Sequence, residues 1–274
     1  MAINVILEDH TGNVTHQAKM VENVPVQRLI PAIVTAMGLP VTDPAGRPIT
    51  YHLSHNNRRL QEDETLESAG VQSGDTLTIV PEMTAGRGTL TSSALHQTSP
   101  LVILGPVVWQ KCPVQGFPCA VNATHQGSIV RVHITAGVMQ AIREHAAAWR
   151  DREVGGILLG EVYEEAGRFL VSVEESLPAL YTRAGPAFLT FTARTWLDIL
   201  ARRNTRPEAK TVGWYHSHPG WGVFLSGYDR FSHRSFFGRQ PWYIALVTDP
   251  LTGEFGVFAW ENGEVRRCPE TVIV

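Results

Sequence analysis

Between Gly213 and Asp229 the chain reads GWYHSHPGWGVFLSGYD, and two histidines, a serine and an aspartate fall there at a spacing that can do metal chemistry. Thr211 to His216 is apolar enough for a buried strand, and the side-chain period of two along a strand points His216 and His218 to the same face. Pro219 and two glycines end that strand. Ser226 to Asp229 then reads as a helix start with Ser226 at the cap, so Ser226 and Asp229 share one helical turn. Two neutral imidazoles and a carboxylate make an N/O set suited to Zn²⁺, and three protein ligands leave the fourth tetrahedral position open, as in a catalytic zinc site. The same residues have a plainer reading. His-x-His can be two polar residues of a strand, and Ser-x-x-Asp is also a helix capping box.

An upstream glutamate opens the run Glu153-Val154-Gly155-Gly156-Ile157-Leu158-Leu159-Gly160. With it, the pattern His-x-His, seven residues, Ser, two residues, Asp resembles the JAMM/MPN metalloproteases, also called the JAB domain. These hydrolyse isopeptide or peptide bonds at the C-terminus of ubiquitin and ubiquitin-like proteins. The resemblance spans roughly residues 129 to 262 and no signature position departs from it. It implies a cytidine-deaminase-like fold, with His216, His218 and Asp229 as zinc ligands. It also implies Glu153 as general acid/base and Ser226 as the hydroxyl that steadies a tetrahedral oxyanion. The partners implied are a ubiquitin-like modifier or its conjugates, with activating and conjugating enzymes of a prokaryotic pathway. Two alternatives stand beside this reading: a non-catalytic scaffold, as in MPN domains that lack the metal residues, and a protease that processes a ubiquitin-like sulfur carrier or precursor; the presence of all five residues argues against the scaffold. Glu153 also stands close to Arg150 and Arg152, where a surface ion pair would be worth only about 0 to 1 kcal/mol.

Several elements must position these residues. Ile129 to Ile134 alternates as a strand, and Thr135 caps a helix, ending near Arg150, whose Val138, Ile142, Ala146 and Trp149 form an apolar stripe. Gly155 to Tyr163 and Phe169 to Glu174 read as a strand pair that sets Glu153 just ahead of a buried strand. Thr192 caps the next helix, with Trp196, Leu197 and Leu200 inward; Trp242 to Thr248 and Phe255 to Trp260 read as a hairpin. Helices flanking a central sheet give an α/β (α+β) class. Trp214 shares strand parity with the histidines, and Trp221, in the loop beside the site, is a candidate substrate contact. Leu177 to Phe191 is expected to be an edge or flap to which an extended substrate tail adds as a strand. His145 reads as a helix-face residue and His233 as a possible support for a ligand; neither is taken as a ligand itself.

Ahead of this region, Ile3 to Leu7 and Val14 to Met20 read as a hairpin. A helix follows Pro25, with Leu29, Ile30, Ile33, Val34 and Met37 on its apolar side and Gly38 at its end. Ile49 to Leu53 and Thr76 to Val80 are further strands. The run RRLQEDETLESAGVQSGDTLTIV resembles the C-terminal half of ubiquitin-like β-grasp proteins, over roughly residues 1 to 86; an unrelated α+β domain is the alternative. The expected division is a β-grasp domain at 1–82, a flexible linker at 83–99, an insert at 100–128 with no assigned role, and the JAB domain at 129–274. For the insert, a pair of short strands packed on the second domain is the default expectation. If Thr76 to Val80 is the last β-grasp strand, a ubiquitin-like tail ends at Gly86, after Ala85, and glycine there would let the backbone approach a metal closely. Gly86 is thus a candidate substrate-like residue, although a flexible linker has the same composition.

The 274 residues, 43% of them hydrophobic, are enough for two packed domains. A net charge of −3 with dispersed basic residues gives no footprint for nucleic acid. No 18-residue apolar run is present, so no membrane partner is expected. The start MAINVILEDHTGN lacks the features of a signal peptide, and three cysteines do not make a disulfide framework; the expected location is the cytoplasm. Cys112 and Cys119, without a second pair, read as packing residues.

Overall fold

A computed structural model describes residues 1–86 and 130–274, apart from Ala166, Pro207 and the Glu165 side chain, with the backbone alone at 102–109. Cys112 and Cys119 lie outside the described residues, as do most of the expected linker and much of the insert. Among the described residues, 1–83, 102–109 and 191–205 form one compact unit, and 84–86, 130–190 and 206–274 form another.

The first unit opens with β1 (Ala2–Asp9) and β2 (Val14–Val21), antiparallel around a turn in which the Asp9 carboxylate accepts from the Thr11 backbone N–H and hydroxyl. Pro25 fixes the entry to α1 (Val26–Ala36), and apolar residues at helical spacing bury Val26, Leu29, Ala32 and Ile33. β3 (Tyr51–His55), β4 (Arg58–Arg59) and β5 (Thr76–Pro81) complete a sheet in which β5 runs parallel to β1 at the centre. This is the expected ubiquitin-like topology. Two stretches depart from the sequence reading. Met83–Gly86, the expected start of the linker, is strand β6, because its backbone finds partners described below. In the insert, one strand, β7 (Val102–Trp109), runs antiparallel to β2 in place of a strand pair on the second domain. Gly105 and Pro106, which in sequence looked like an interruption, fall at a register shift opposite the stretch between His16 and Ala18. A bulge there absorbs the residue that cannot donate, and β7 covers the edge of β2.

In the second unit β8 (Val130–Ile134) leads into α2 (Ala136–Ala147), whose N-cap Thr135 accepts from the Val138 N–H. β9 (Gly155–Glu165) and β10 (Arg168–Pro178) form a hairpin, and β11 (Arg183–Gly185) and β12 (Phe188–Phe191) form a smaller one. Helix α3 (Ala193–Arg203) follows, then β13 (Lys210–Ser217), α4 (Gly227–Phe236), β14 (Ile244–Thr248), β15 (Phe255–Glu261), β16 (Glu264–Arg267) and β17 (Thr271–Ile273). The main sheet has the order β16-β15-β14-β13-β9-β10-β8-β17. Trp214 and Tyr215 are adjacent on β13 and so face opposite sides of it. Tyr215 meets His145 of α2 and Trp214 meets His233 of α4, which puts one helix on each face. This is the expected sheet flanked by helices.

One further correction concerns a helix. Helix α2 ends at Ala147, and Trp149, expected in its buried stripe, is 44% exposed with the Arg152 guanidinium 4.8 Å over its ring. Helix α3 groups with the first unit by its contacts: Trp196 meets His10 edge-on at 4.7 Å, and Arg203 donates to the Gly12 carbonyl at 3.2 Å. Order along the chain does not decide which sheet an apolar helix face finds. Among the described residues no helix is long and apolar enough to cross a membrane.

The contrast on α2 is testable. Ile142→Ala should cost about 2–5 kcal/mol, since Ile142 is fully buried. Trp149→Ala should change stability by less than about 0.5 kcal/mol, as is usual for surface positions. Denaturant titration of the two variants checks both figures.

Candidate functional site

β13 lies mid-sheet, parallel to β14 and antiparallel to β9, and every residue from Thr211 to Ser217 is buried. Trp214 stacks on His216 at 4.6 Å and 8°, which fixes the imidazole plane. The Trp214 indole N–H donates to Nδ1 of His233 at 3.1 Å, and burial pushes His233 down to about 3, so it is a neutral acceptor. His233 thus supports a site residue at one remove. His218 follows at the end of the strand with Nδ1 3.3 Å from the Gly222 carbonyl, and since a carbonyl only accepts, this contact puts the proton on Nδ1 and leaves the Nε2 lone pair facing inward.

Ser226 caps α4. Its hydroxyl accepts from the Asp229 N–H at 3.1 Å, and its own N–H donates to Asp229 Oδ2 at 2.7 Å. The capping box and the proposed site are therefore the same atoms, not rival readings. Asp229 has no exposure, and its carboxylate oxygens stand 3.4 Å from Nε2 of His216 and 3.5 Å from Nε2 of His218; the two Nε2 atoms are 3.0 Å apart. Burial acts to raise the Asp229 carboxyl, but the facing histidines outweigh it and hold the group well below the usual carboxylate range. Burial pushes His216 down, against the opposing pull of Asp229. A carboxylate and two imidazoles with converging donor atoms, all within 4.8 Å of one another, are the donor set and spacing a divalent cation needs.

Glu153 enters from β9. His216 pairs with Gly155, and Ser217 N–H donates to the Val154 carbonyl, which brings residue 153 beside 218. Gly155 is what allows this approach: a Cβ there would collide with the Tyr215 carbonyl oxygen. Glu153 is only 2% exposed, Oε2 is buried without a hydrogen-bond partner among the described residues, and burial together with the Asp229 charge raises the group to about 9. A cation between the histidines and Asp229 would offset that repulsion, so the donor set fits a metal on electrostatic grounds as well.

One pocket is lined by Glu153, His218, Ser226, Trp221, Phe224 and Gly86, among others. Trp221 is 48% exposed and donates from its indole to the Pro186 carbonyl at 3.2 Å, tying its loop to the β11–β12 hairpin. The expected flap at Leu177 to Phe191 contains that hairpin. Gly86 donates its N–H to Asp229 Oδ1 at 2.8 Å, and its carbonyl accepts from the Ser226 hydroxyl at 3.1 Å. All seven residues singled out in sequence therefore lie in one neighbourhood of the second unit.

Sequence reasoning missed Asp249. Its carboxylate, buried at the end of β14, accepts from the N–H groups of Gly220 and Gly222 at 3.0 Å each and of Leu251 at 2.9 Å. Burial acts to raise it, but these backbone donors together bring it below its usual value. It holds the loop whose Gly222 carbonyl orients His218 and whose Trp221 walls the pocket. The available signal was the Asp249-Pro250 turn, which in sequence says only that a hairpin bends there.

The fold and the site define a JAB domain joined to a ubiquitin-like domain. Residues 135–262 match the family described as prokaryotic homologs of the JAB domain, and residues 10–79 match YukD of the WXG100 protein secretion system. The chain carries both: a YukD-type ubiquitin-like domain and, after it, a JAB domain. It is 32% identical over 124 residues to the 26S proteasome non-ATPase regulatory subunit 14 of Dictyostelium discoideum, 44% of this chain and 39% of that one. It is 32% identical over 127 residues to the 26S proteasome regulatory subunit rpn11 of Schizosaccharomyces pombe, covering 44% and 38%. Against COP9 signalosome complex subunit 5 of Caenorhabditis elegans it is 32% identical over 126 residues, covering 44% and 33%. The chain spans less than half the length of these relatives.

The role of Asp249 yields a prediction. Asp249→Ala frees the loop that fixes the His218 tautomer, and loss of such supporting contacts typically costs 10–100-fold in metal affinity. Chelator competition should show a drop of about tenfold or more; an unchanged affinity means the loop is held by other contacts.

Proposed function

We propose that the second unit is a zinc-dependent peptidase or isopeptidase that hydrolyses the bond after the C-terminal residue of a ubiquitin-like modifier, in deconjugation or precursor processing. The observation that carries this is the convergence of His216, His218, Asp229, Glu153 and Ser226 in one site of a JAB domain. His216, His218 and Asp229 would hold the zinc, which when bound supplies Lewis acidity.

The remaining chemistry belongs to the chain. Glu153 takes a proton from the attacking water and passes it to the leaving amine as the C–N bond breaks. Its burial beside His218 keeps bulk water from competing for that proton, and general acid/base catalysis is worth ~10²- to 10⁴-fold. Ser226 Oγ accepts from the Asp229 N–H, which directs its own proton outward to the carbonyl oxygen as that oxygen gains charge. Such a donor contributes ~3 kcal/mol. Trp221 and the β11–β12 hairpin line the approach of the substrate tail. The matched relatives, a proteasome regulatory subunit and a signalosome subunit, favour a protein modifier over an unrelated peptide as substrate.

Purified protein is expected to hold about one zinc per chain, and both His216→Ala and His218→Ala to lose it by metal analysis. Glu153→Gln should keep zinc and fold while losing ~10²-fold or more of its turnover on a panel of lysine-linked and linear ubiquitin-like substrates. Wild-type turnover in Glu153→Gln ends the mechanism, and stoichiometric zinc in both histidine variants moves the metal elsewhere.

A further inference from the structure

We infer that the chain is its own substrate: Thr84–Gly86 lies in the site as a bound substrate tail, and the peptide bond that follows Gly86 is the one cut. The inference rests on the hydrolytic reading above and names a substrate for it. Four observations carry it, all within the second unit.

The first is backbone pairing. β6 adds to β12 as the outer strand of a three-stranded sheet with β11, the way an extended peptide is held on a sheet edge. The second is the set of side chains that take up the tail's polar groups. Ser232 Oγ donates to the Thr84 carbonyl at 2.6 Å, the Thr84 and Thr190 hydroxyls are 3.0 Å apart, and Asp229 accepts the Gly86 N–H. A plain linker leaves these groups to water. The third is the carbonyl of Gly86, at 3.1 Å from Ser226 Oγ, the hydroxyl assigned to the reacting oxygen. That carbonyl belongs to the bond between Gly86 and Arg87.

The fourth is steric. Gly86 has φ +93°, and a Cβ would collide with the Ala187 carbonyl oxygen and lie 2.7 Å from Cα of Phe188. Both are backbone atoms, so a side chain at this position cannot be accommodated by a rotamer change. Ala85 before it is fully buried. The site therefore selects the residue type that the chain itself supplies.

The step balances without a co-reactant beyond water. Water adds to the Gly86 carbonyl carbon while Glu153 takes its proton and Ser226 donates to the oxygen. The C–N bond to Arg87 then breaks, and the proton goes to the new amine. The products are residues 1–86, with a carboxylate at Gly86, and the remainder of the chain with Arg87 as its first residue. Because the tail and the site belong to one chain, the tail competes at the high effective concentration of a tethered ligand.

The test follows the intact mass of full-length, zinc-loaded protein over time. Wild type should yield a fragment ending at Gly86, at a rate unchanged by tenfold dilution, and Glu153→Gln should be slowed ~10²-fold or more. Gly86→Val should not be cut at this position, because its side chain unseats the tail. Zinc-loaded wild type is also assayed on a separate ubiquitin-like fusion ending in glycine, to keep the two readings apart. If wild type cuts that fusion while itself staying intact, the self-substrate inference is overturned and the hydrolase stands. If wild type cuts no fusion of the panel and stays intact, both fall. Cleavage of wild type at another bond, or a rate proportional to protein concentration, also overturns the inference.

Discussion

A carboxylate with no access to water must be satisfied by the protein, and Asp229 is the point on which the site depends. Burying an ionised carboxylate carries a penalty of several kcal/mol unless donors surround it. Around Asp229 these are the Ser226 N–H at 2.7 Å and the Gly86 N–H at 2.8 Å, and the Nε2 atoms of His216 and His218 face it at 3.4 and 3.5 Å. These groups come from the start of α4, strand β6, the end of β13 and the residue just past it. Satisfying one group therefore fixes the meeting point of three pieces of chain. The facing histidines outweigh burial and hold the Asp229 carboxyl well below its usual range, which favours the carboxylate form.

The sheet supplies the precision that such a meeting needs. β13 reaches the site between two paired neighbours, so His216 cannot shift without breaking a ladder on each side. Trp214 and Tyr215 anchor opposite faces of the strand through α4 and α2, which resists rotation about its axis. His218 lies past the last ladder pair and depends on other contacts: its N–H donates to the Thr248 carbonyl, and Asp249 holds the loop that orients its ring. Rigid placement of His216 and a supported loop at His218 hold the two imidazoles toward one point.

Much of this was legible in sequence because it depends on local rules. The parity of His216 and His218 follows from the strand period, and the proximity of Ser226 and Asp229 follows from one helical turn with a cap. Glu153 required the family pattern, since what brings it beside His218 is the register of β9 on β13, and register is set by contacts distant in sequence. The Trp149 error has the same origin: Trp149 fits the helical period but lies beyond the point where α2 ends. Asp249 was invisible because its work is done by accepting from backbone N–H groups, which carry no residue signature.

The tail shows most plainly where composition stops being informative. Met83–Gly86, MTAG, contains the small residues of a flexible linker, and by propensity alone it has no reason to be ordered. Order there comes from partners: a sheet edge at β12, two serine hydroxyls and the Asp229 carboxylate. Apart from the Thr84 hydroxyl beside that of Thr190 and the buried Ala85 methyl, these contacts are made through the backbone. A Cβ at Gly86 would meet the Ala187 carbonyl oxygen, so the packing admits a single residue type at that position. Small residues are therefore what a linker and a bound tail have in common, and the difference lies in what the rest of the fold places opposite them.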